Sequence, residues 1–133
     1  TGQLAKVVAS AIPKIEPGQN PATRTFQALR IFINQELEEL SLILPKCLRL
    51  LRTGGRLVVI SFHSLEDRMV KRRFRELTQP APIPRGLPIG EDARVQPSFV
   101  EPSDLRGGVI ATEDEQRDNP RSRSARLRVL ERR

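Results

Sequence analysis

GGRLVVISFHSLEDR, residues 54–68, holds a helix stop, a strand and a new helix start in one uninterrupted run. Gly54-Gly55 can take the left-handed backbone that ends a helix. Arg56-Leu57-Val58-Val59-Ile60-Ser61-Phe62 follows, β-branched and without polar alternation, which predicts a strand buried on both faces, as in parallel sheets covered by helices. Ser64 is then placed to cap a helix, with Asp67 three residues later completing a capping-box-like pair. Helix, Gly-Gly turn, buried strand and helix together make one step of a doubly wound α/β fold. The chain's only histidine, His63, stands at the junction between strand and helix.

Upstream, Phe26, Leu29, Ile33, Leu37, Leu40, Leu44, Leu48 and Leu51 recur at spacings of three and four, predicting one long amphipathic helix from Thr23 to Arg52. Pro45 lies inside the pattern, where a missing donor predicts a kink or a restart. Residues 4–12 read as a short apolar helix, closed by Pro13 and a turn-rich IEPGQNP that ends at Pro21. Downstream of His63, helical spacing puts Arg68, Lys71, Arg72 and Arg75 in one basic stripe. Leu65, Met69, Val70, Phe74 and Leu77 take the opposite side. Arg73 falls among these apolar residues and must reach outward or meet Glu66. Residues 78–94 are rich in Pro and Gly and read as a surface loop. A short strand is predicted within 95–100, a short acidic helix over 112–119, and a final edge-side strand over 125–131 with Leu127 and Val129 on one face.

Hydrophobic residues make up 38% of the 133-residue chain, and its few aromatics are all Phe, so the core must be aliphatic. The formal net charge of +7 favours a polyanionic partner, nucleic acid or an anionic surface. That charge is unevenly placed: residues 85–118 carry eight acidic side chains against four basic ones, whereas 119–133 carry six arginines and one glutamate. No apolar run approaches the ~18 residues that span a bilayer, so no membrane role is expected. Cys47 is the only cysteine, which excludes an internal disulfide and, beside a single histidine, a zinc-ligand set; a reducing, cytoplasmic compartment fits. The first residue is Thr1 and the opening reads as a helix already under way, so an upstream portion is expected.

In open α/β sheets ligands bind beyond the carboxyl ends of the strands, which is where His63 is placed. Two readings are open. His63 can accept a proton, donate to a substrate base or touch phosphate; alternatively, His63 and Ser64 shape the turn and satisfy backbone groups. The basic stripe likewise reads as a phosphate contact or as a solvated face, and the arginine-rich PRSRSARLR at 120–128 turns the balance toward nucleic acid. Glu36, Glu38 and Glu39 read as solvated surface. No glycine-rich phosphate loop follows a strand, so the main binding loop of any nucleotide-like cofactor is expected outside these residues.

NPATRTFQALRIFINQELEEL at 20–40, GGRLVVISFHSLEDRMVKRRFRE at 54–76 and NPRSRSARLRVLER at 119–132 resemble the carboxy-terminal half of the MraW-type ribosomal RNA small-subunit methyltransferase H family. The resemblance covers nearly the whole chain and is weakest across 78–112. It implies an S-adenosylmethionine-dependent enzyme that methylates the exocyclic N4 of a cytosine in the decoding region of 16S rRNA. It implies a class I, Rossmann-like domain with a mostly parallel sheet and an antiparallel closing strand. Residues 1–19 then look like the end of an inserted helical domain, and residues 20–133 like the carboxy-terminal half of the methyltransferase domain. The cofactor would be gripped mainly by the other half, leaving this chain inactive alone. Thr25, Arg30, His63, Ser64, Arg68, Lys71, Arg72, Arg75, Arg121, Arg123 and Arg126 are the expected substrate-side residues, with His63 and Ser64 the catalytic candidates and a homodimer kept open. The chain departs from the family at Asn20, where His is usual, at Arg73, where an apolar residue is expected, and in the wording of 95–112. The competing functions are a stand-alone basic RNA-binding or assembly module, and a methyltransferase acting on DNA or protein.

Overall fold

The structure is a computed structural model that describes residues 1–12, 20–80 and 95–133. The turn expected over 13–19 and most of the loop expected at 78–94 lie outside the described residues. The chain divides into two compact units, Thr1–Leu40 and Ser41–Arg133.

In the first unit, α1 spans Gly2–Ala11 and α2 spans Thr23–Asn34. Asn20 prepares the start of α2: its side-chain oxygen accepts from the Ala22 N–H at 2.9 Å and its carbonyl from the Thr23 N–H at 3.0 Å. Asparagine suits this place because its short amide can bond the backbone two residues on. The helix stops at Gln35, whose φ of 52° is left-handed. A new helix, α3, runs Glu36–Leu50 with Glu36, Glu38 and Glu39 in its first turn, where carboxylates complement the helix dipole. Arg30 at 3.0 Å and the Asn34 amide at 3.2 Å both hold Glu36 across the break. The single helix expected over 23–52 is therefore two, and the restart falls at Gln35 rather than Pro45. Pro45 stays inside α3. Its lost hydrogen bond is offset by burial of Leu44 and Leu48 on either side, since a buried Leu contributes about 1.5–3 kcal/mol.

After α3 the chain turns at Gly54, with φ of 76°. A side chain at Gly55 would meet the Arg52 carbonyl at 2.8 Å, so the second glycine is required by space. The turn is tied to the far end of the chain: Gly54 N–H donates to the Arg132 carbonyl, and the Arg132 guanidinium donates to the Leu51 carbonyl at 2.8 Å.

Among the described residues the second unit is built on a four-stranded sheet. Strand β1, Arg56–Ser61, pairs antiparallel with β4, Arg126–Arg132, from Arg56 opposite Glu131 to Ser61 opposite Arg126. Two short strands, β2 at Phe99–Val100 and β3 at Val109–Ile110, pair antiparallel with the other side of β4. The last strand is thus central, not an edge. It is also the most buried: Arg128, Val129 and Leu130 are all enclosed. The expectation for β1 is corrected as well. Among the described residues it has one partner, antiparallel, and its burial alternates, with Val58 and Ile60 about half exposed.

Helix α4, Ser64–Thr78, packs on β1, β2 and β4. Val70 and Phe74, each 1% exposed, join Val129 and Leu130 in a core that is aliphatic, as the composition predicts, apart from Phe74. Arg73 reaches Glu76 at 3.2 Å, not Glu66, because Glu66 is engaged at the helix start. The acidic helix α5, Glu113–Asp118, begins at Thr112, whose hydroxyl accepts from the Glu115 N–H at 3.2 Å. A 3-10 turn over Pro120–Ser124 leads from it into β4.

Candidate functional site

The carboxyl end of β1 delivers His63 in extended backbone, φ −140° and ψ 159°, directly before α4. Its Nδ1 accepts from the Glu66 N–H at 3.3 Å. Glu66 reciprocates, its carboxylate accepting from Phe62 N–H at 3.0 Å and His63 N–H at 3.4 Å. The capping box exists but is shifted one residue from the expected Ser64 and Asp67 pair, with histidine as the cap. For Nδ1 to accept, the ring proton must sit on Nε2. The Glu66 carboxylate already occupies the place at this helix terminus where a bound phosphate would satisfy the same donors.

Asp67 is displaced from the cap by a stronger attraction. Its two oxygens receive Arg128 Nε at 2.7 Å and Nη2 at 3.1 Å, a fork-on-carboxylate pair. The Arg128 hydrogen bonds hold the Asp67 carboxyl below its ordinary range, burial opposes them, and the charges of Arg128, Arg126 and Lys71 lower it further. Arg128 Nη1 donates at 3.1 Å to the Gly107 carbonyl, and Gly107 N–H donates to Glu101 at 3.3 Å. Gly107 and Gly108, with φ of 87° and 89°, fold this turn onto β4, where a side chain on Gly108 would come within 3.1 Å of the Leu127 carbonyl. Ser61 completes the floor, its hydroxyl donating to the Arg126 carbonyl at 3.3 Å.

The β1–β4 register places the exit of β1, the first turn of α4 and residues 120–126 at one end of the sheet. Arg68, Lys71, Arg72 and Arg75 are exposed on α4, as predicted, although Arg72 shares Glu76 at 3.8 Å. Arg121 and Arg123 are exposed on the 3-10 turn, held in shape by the Asn119 side chain and by the Ser122 hydroxyl bonded to the Asn119 carbonyl. Arg126 is half-buried, 3.9 Å from Asp67. The exposed Ser64 hydroxyl stands at the first helical position. Thr25, half-buried, and Arg30, paired with Glu36, belong to the first unit. Sequence reasoning missed Asp67 and Arg128 as partners. The available signal was a charged residue between Leu127 and Val129 in a strand that proves central.

The profile of the MraW methylase family matches residues 1–133, the whole of the sequence. The chain belongs to the MraW methylase family. A relative in Methylobacillus flagellatus named Ribosomal RNA small subunit methyltransferase H is 62% identical over 132 residues, which is 99% of this chain and 40% of the relative. Relatives of the same name in Nitrosospira multiformis and Aromatoleum aromaticum are each 55% identical over 99% of this chain, covering 42% and 41% of their own lengths. This MraW-family chain therefore spans about two fifths of the curated relatives it matches. Within that portion Arg68, Arg121, Arg123 and Arg126 lie toward the sheet end whose helix terminus is closed by its own residues. No described helix is long and apolar enough to cross a membrane.

Proposed function

We propose that this chain is the carboxy-terminal part of a cytoplasmic, S-adenosylmethionine-dependent methyltransferase acting on the exocyclic N4 of a cytosine in 16S rRNA of the small ribosomal subunit. The observation that carries the reading is the family match over all 133 residues, with relatives named for ribosomal RNA small-subunit methylation. The relatives' greater length favours it over a stand-alone binding module. In this reading residues 1–19 end an inserted helical domain and residues 20–133 belong to the methyltransferase domain. Among the described residues β1 pairs only with β4, an edge that suits a sheet continued by a parallel strand from the rest of the protein, and the half-exposed Val58 and Ile60 suit a layer of helices over that face. A homodimer is not part of this reading.

S-adenosylmethionine would supply the methyl group. The described residues do not fit its grip: β1 enters α4 through a closed histidine cap, and the paired glycines 107 and 108 precede a strand rather than follow one. We assign no cofactor contact to this chain. Its part is the substrate side, where alignment of the nucleophilic nitrogen supplies most of the acceleration. Arg68, Lys71, Arg75, Arg121 and Arg123 present cations to the phosphates flanking an extruded cytosine. His63 holds the turn, and Ser64 offers the hydroxyl that faces the substrate.

The test uses the complete protein, tritiated S-adenosylmethionine and small subunits lacking the modification. Label on a single cytosine at N4 is the expected result. Label only on DNA or protein, or none on any substrate, overturns the proposal.

A further inference from the structure

The basic end of the sheet holds two carboxylates in the first turn of α4, Glu66, which closes the cap, and Asp67. Asp67 lies at the first turn of α4, next to exposed Arg68 and at the same sheet end as Arg121 and Arg123. A free carboxylate there would repel the phosphates that these arginines attract. It is not free. Arg128, 5% exposed in its side chain, covers both oxygens at 2.7 and 3.1 Å.

Arg126 approaches the same carboxylate from the surface. Its Nε stands 3.9 Å from Asp67 Oδ2, beyond hydrogen-bonding distance, with 41% of its side chain exposed. Among the described residues no side-chain hydrogen bond engages the Arg126 guanidinium. Its backbone is fixed by the pairing with Ser61 and Ile110 on either side. The arrangement orients one cation through an anion whose hydrogen bonds are already taken by another. A guanidinium so placed keeps its donors for a planar or tetrahedral oxyanion.

Building on the rRNA reading above, we propose that Arg126 contacts a substrate phosphate and that Asp67, anchored by Arg128, is the positioning residue that aims it. Electrostatics alone predicts the opposite sign for loss of Asp67. Removing a negative charge from a basic surface should tighten RNA binding, whereas loss of positioning should weaken it.

The experiment measures binding of the complete protein to a 16S rRNA fragment over a salt series. Asp67→Asn is expected to lower affinity about tenfold and to reduce the slope of log K against log salt by roughly 0.7–0.9, the value of one phosphate contact. Arg126→Met should give the same loss, and the double variant no further loss. Unchanged or tighter binding by Asp67→Asn, or additive losses in the double variant, overturns the proposal. Where circular dichroism shows that Asp67→Asn does not fold, Asp67→Glu carries the test, because it keeps the charge and moves the carboxylate outward. A loss that disappears in the Arg126→Met background then supports positioning, and wild-type affinity overturns it. Wild-type protein that binds no rRNA and methylates none refutes the rRNA reading itself, and the proposal with it; wild-type activity with an indifferent Asp67→Asn refutes only the positioning.

Discussion

Replacing Arg128 by Met tests whether the Asp67 pair organises the second unit. Arg128 donates three hydrogen bonds, two to Asp67 and one to Gly107, from a side chain 5% exposed. Breaking a buried ion pair by removing one partner costs about 3–5 kcal/mol, chiefly because the other charge is stranded. Here the stranded Asp67 is still 21% exposed and Arg126 lies 3.9 Å away, so the lower end, about 3 kcal/mol, is expected at neutral pH. Adding Asp67→Asn should restore part of that loss, since no charge is then left uncompensated. The pH dependence has a definite sign. A carboxyl held below its ordinary value of 3.8 stabilises the fold above that value, and the contribution is lost as pH falls through the lowered folded-state value. Wild type and Arg128→Met should therefore converge in acid. Urea denaturation of the complete protein followed by circular dichroism, at neutral pH and in an acid series, reads both effects. A deficit below about 1 kcal/mol, no convergence in acid, or an equal cost of Asp67→Asn in both backgrounds would refute the reasoning.

Three further outcomes follow from the same geometry. His63→Ala should lose about 1 kcal/mol of stability through the missing cap, while His63→Asn, a good cap, should recover it and retain methyl transfer; an asparagine variant that is stable but inactive would instead assign the imidazole to the chemistry. Arg68→Glu should weaken rRNA binding and flatten its salt dependence more than Arg72→Glu, because Arg72 already shares Glu76; equal effects in filter binding would count against the exposed stripe. Gly54→Ala should cost about 1 kcal/mol in a thermal melt, from backbone strain alone, since its added methyl meets nothing within 4 Å at φ of 76°.

The sequence was most legible where one residue type has one physical use. Gly54-Gly55 ends a helix, the valines and isoleucine of 58–60 form a strand, Thr112 starts an acidic helix, and the α4 arginines face solvent. It was least legible where two polar groups compete for one place. Ser64 and Asp67 have the right spacing for a cap, yet Asp67 is drawn to Arg128, sixty-one residues away, and His63 with Glu66 takes the cap instead. No local pattern encodes that partner. The break at Gln35 was hidden for a related reason: apolar spacing runs unbroken across it, and Pro45 offered a louder but incorrect signal. The predicted catalytic candidates came together with the arginine-rich tail through strand register, which sequence periodicity does not specify.

The central position of β4 also sets an order of events during synthesis. Ser61 and Arg126 are 65 residues apart in the chain, and Arg56 and Glu131 are 75 apart. At about 5–20 residues per second, β1 waits roughly 3–13 s after its own synthesis before the first residue of the strand that pairs with it has been made. During that interval Val58 and Ile60 lie on a strand lacking its β4 partner, so the nascent chain presents an apolar segment suited to chaperones or to mispairing. The hydrogen bonds that cover Asp67 come from Arg128 within β4, so they cannot form until well after α4 itself has been made.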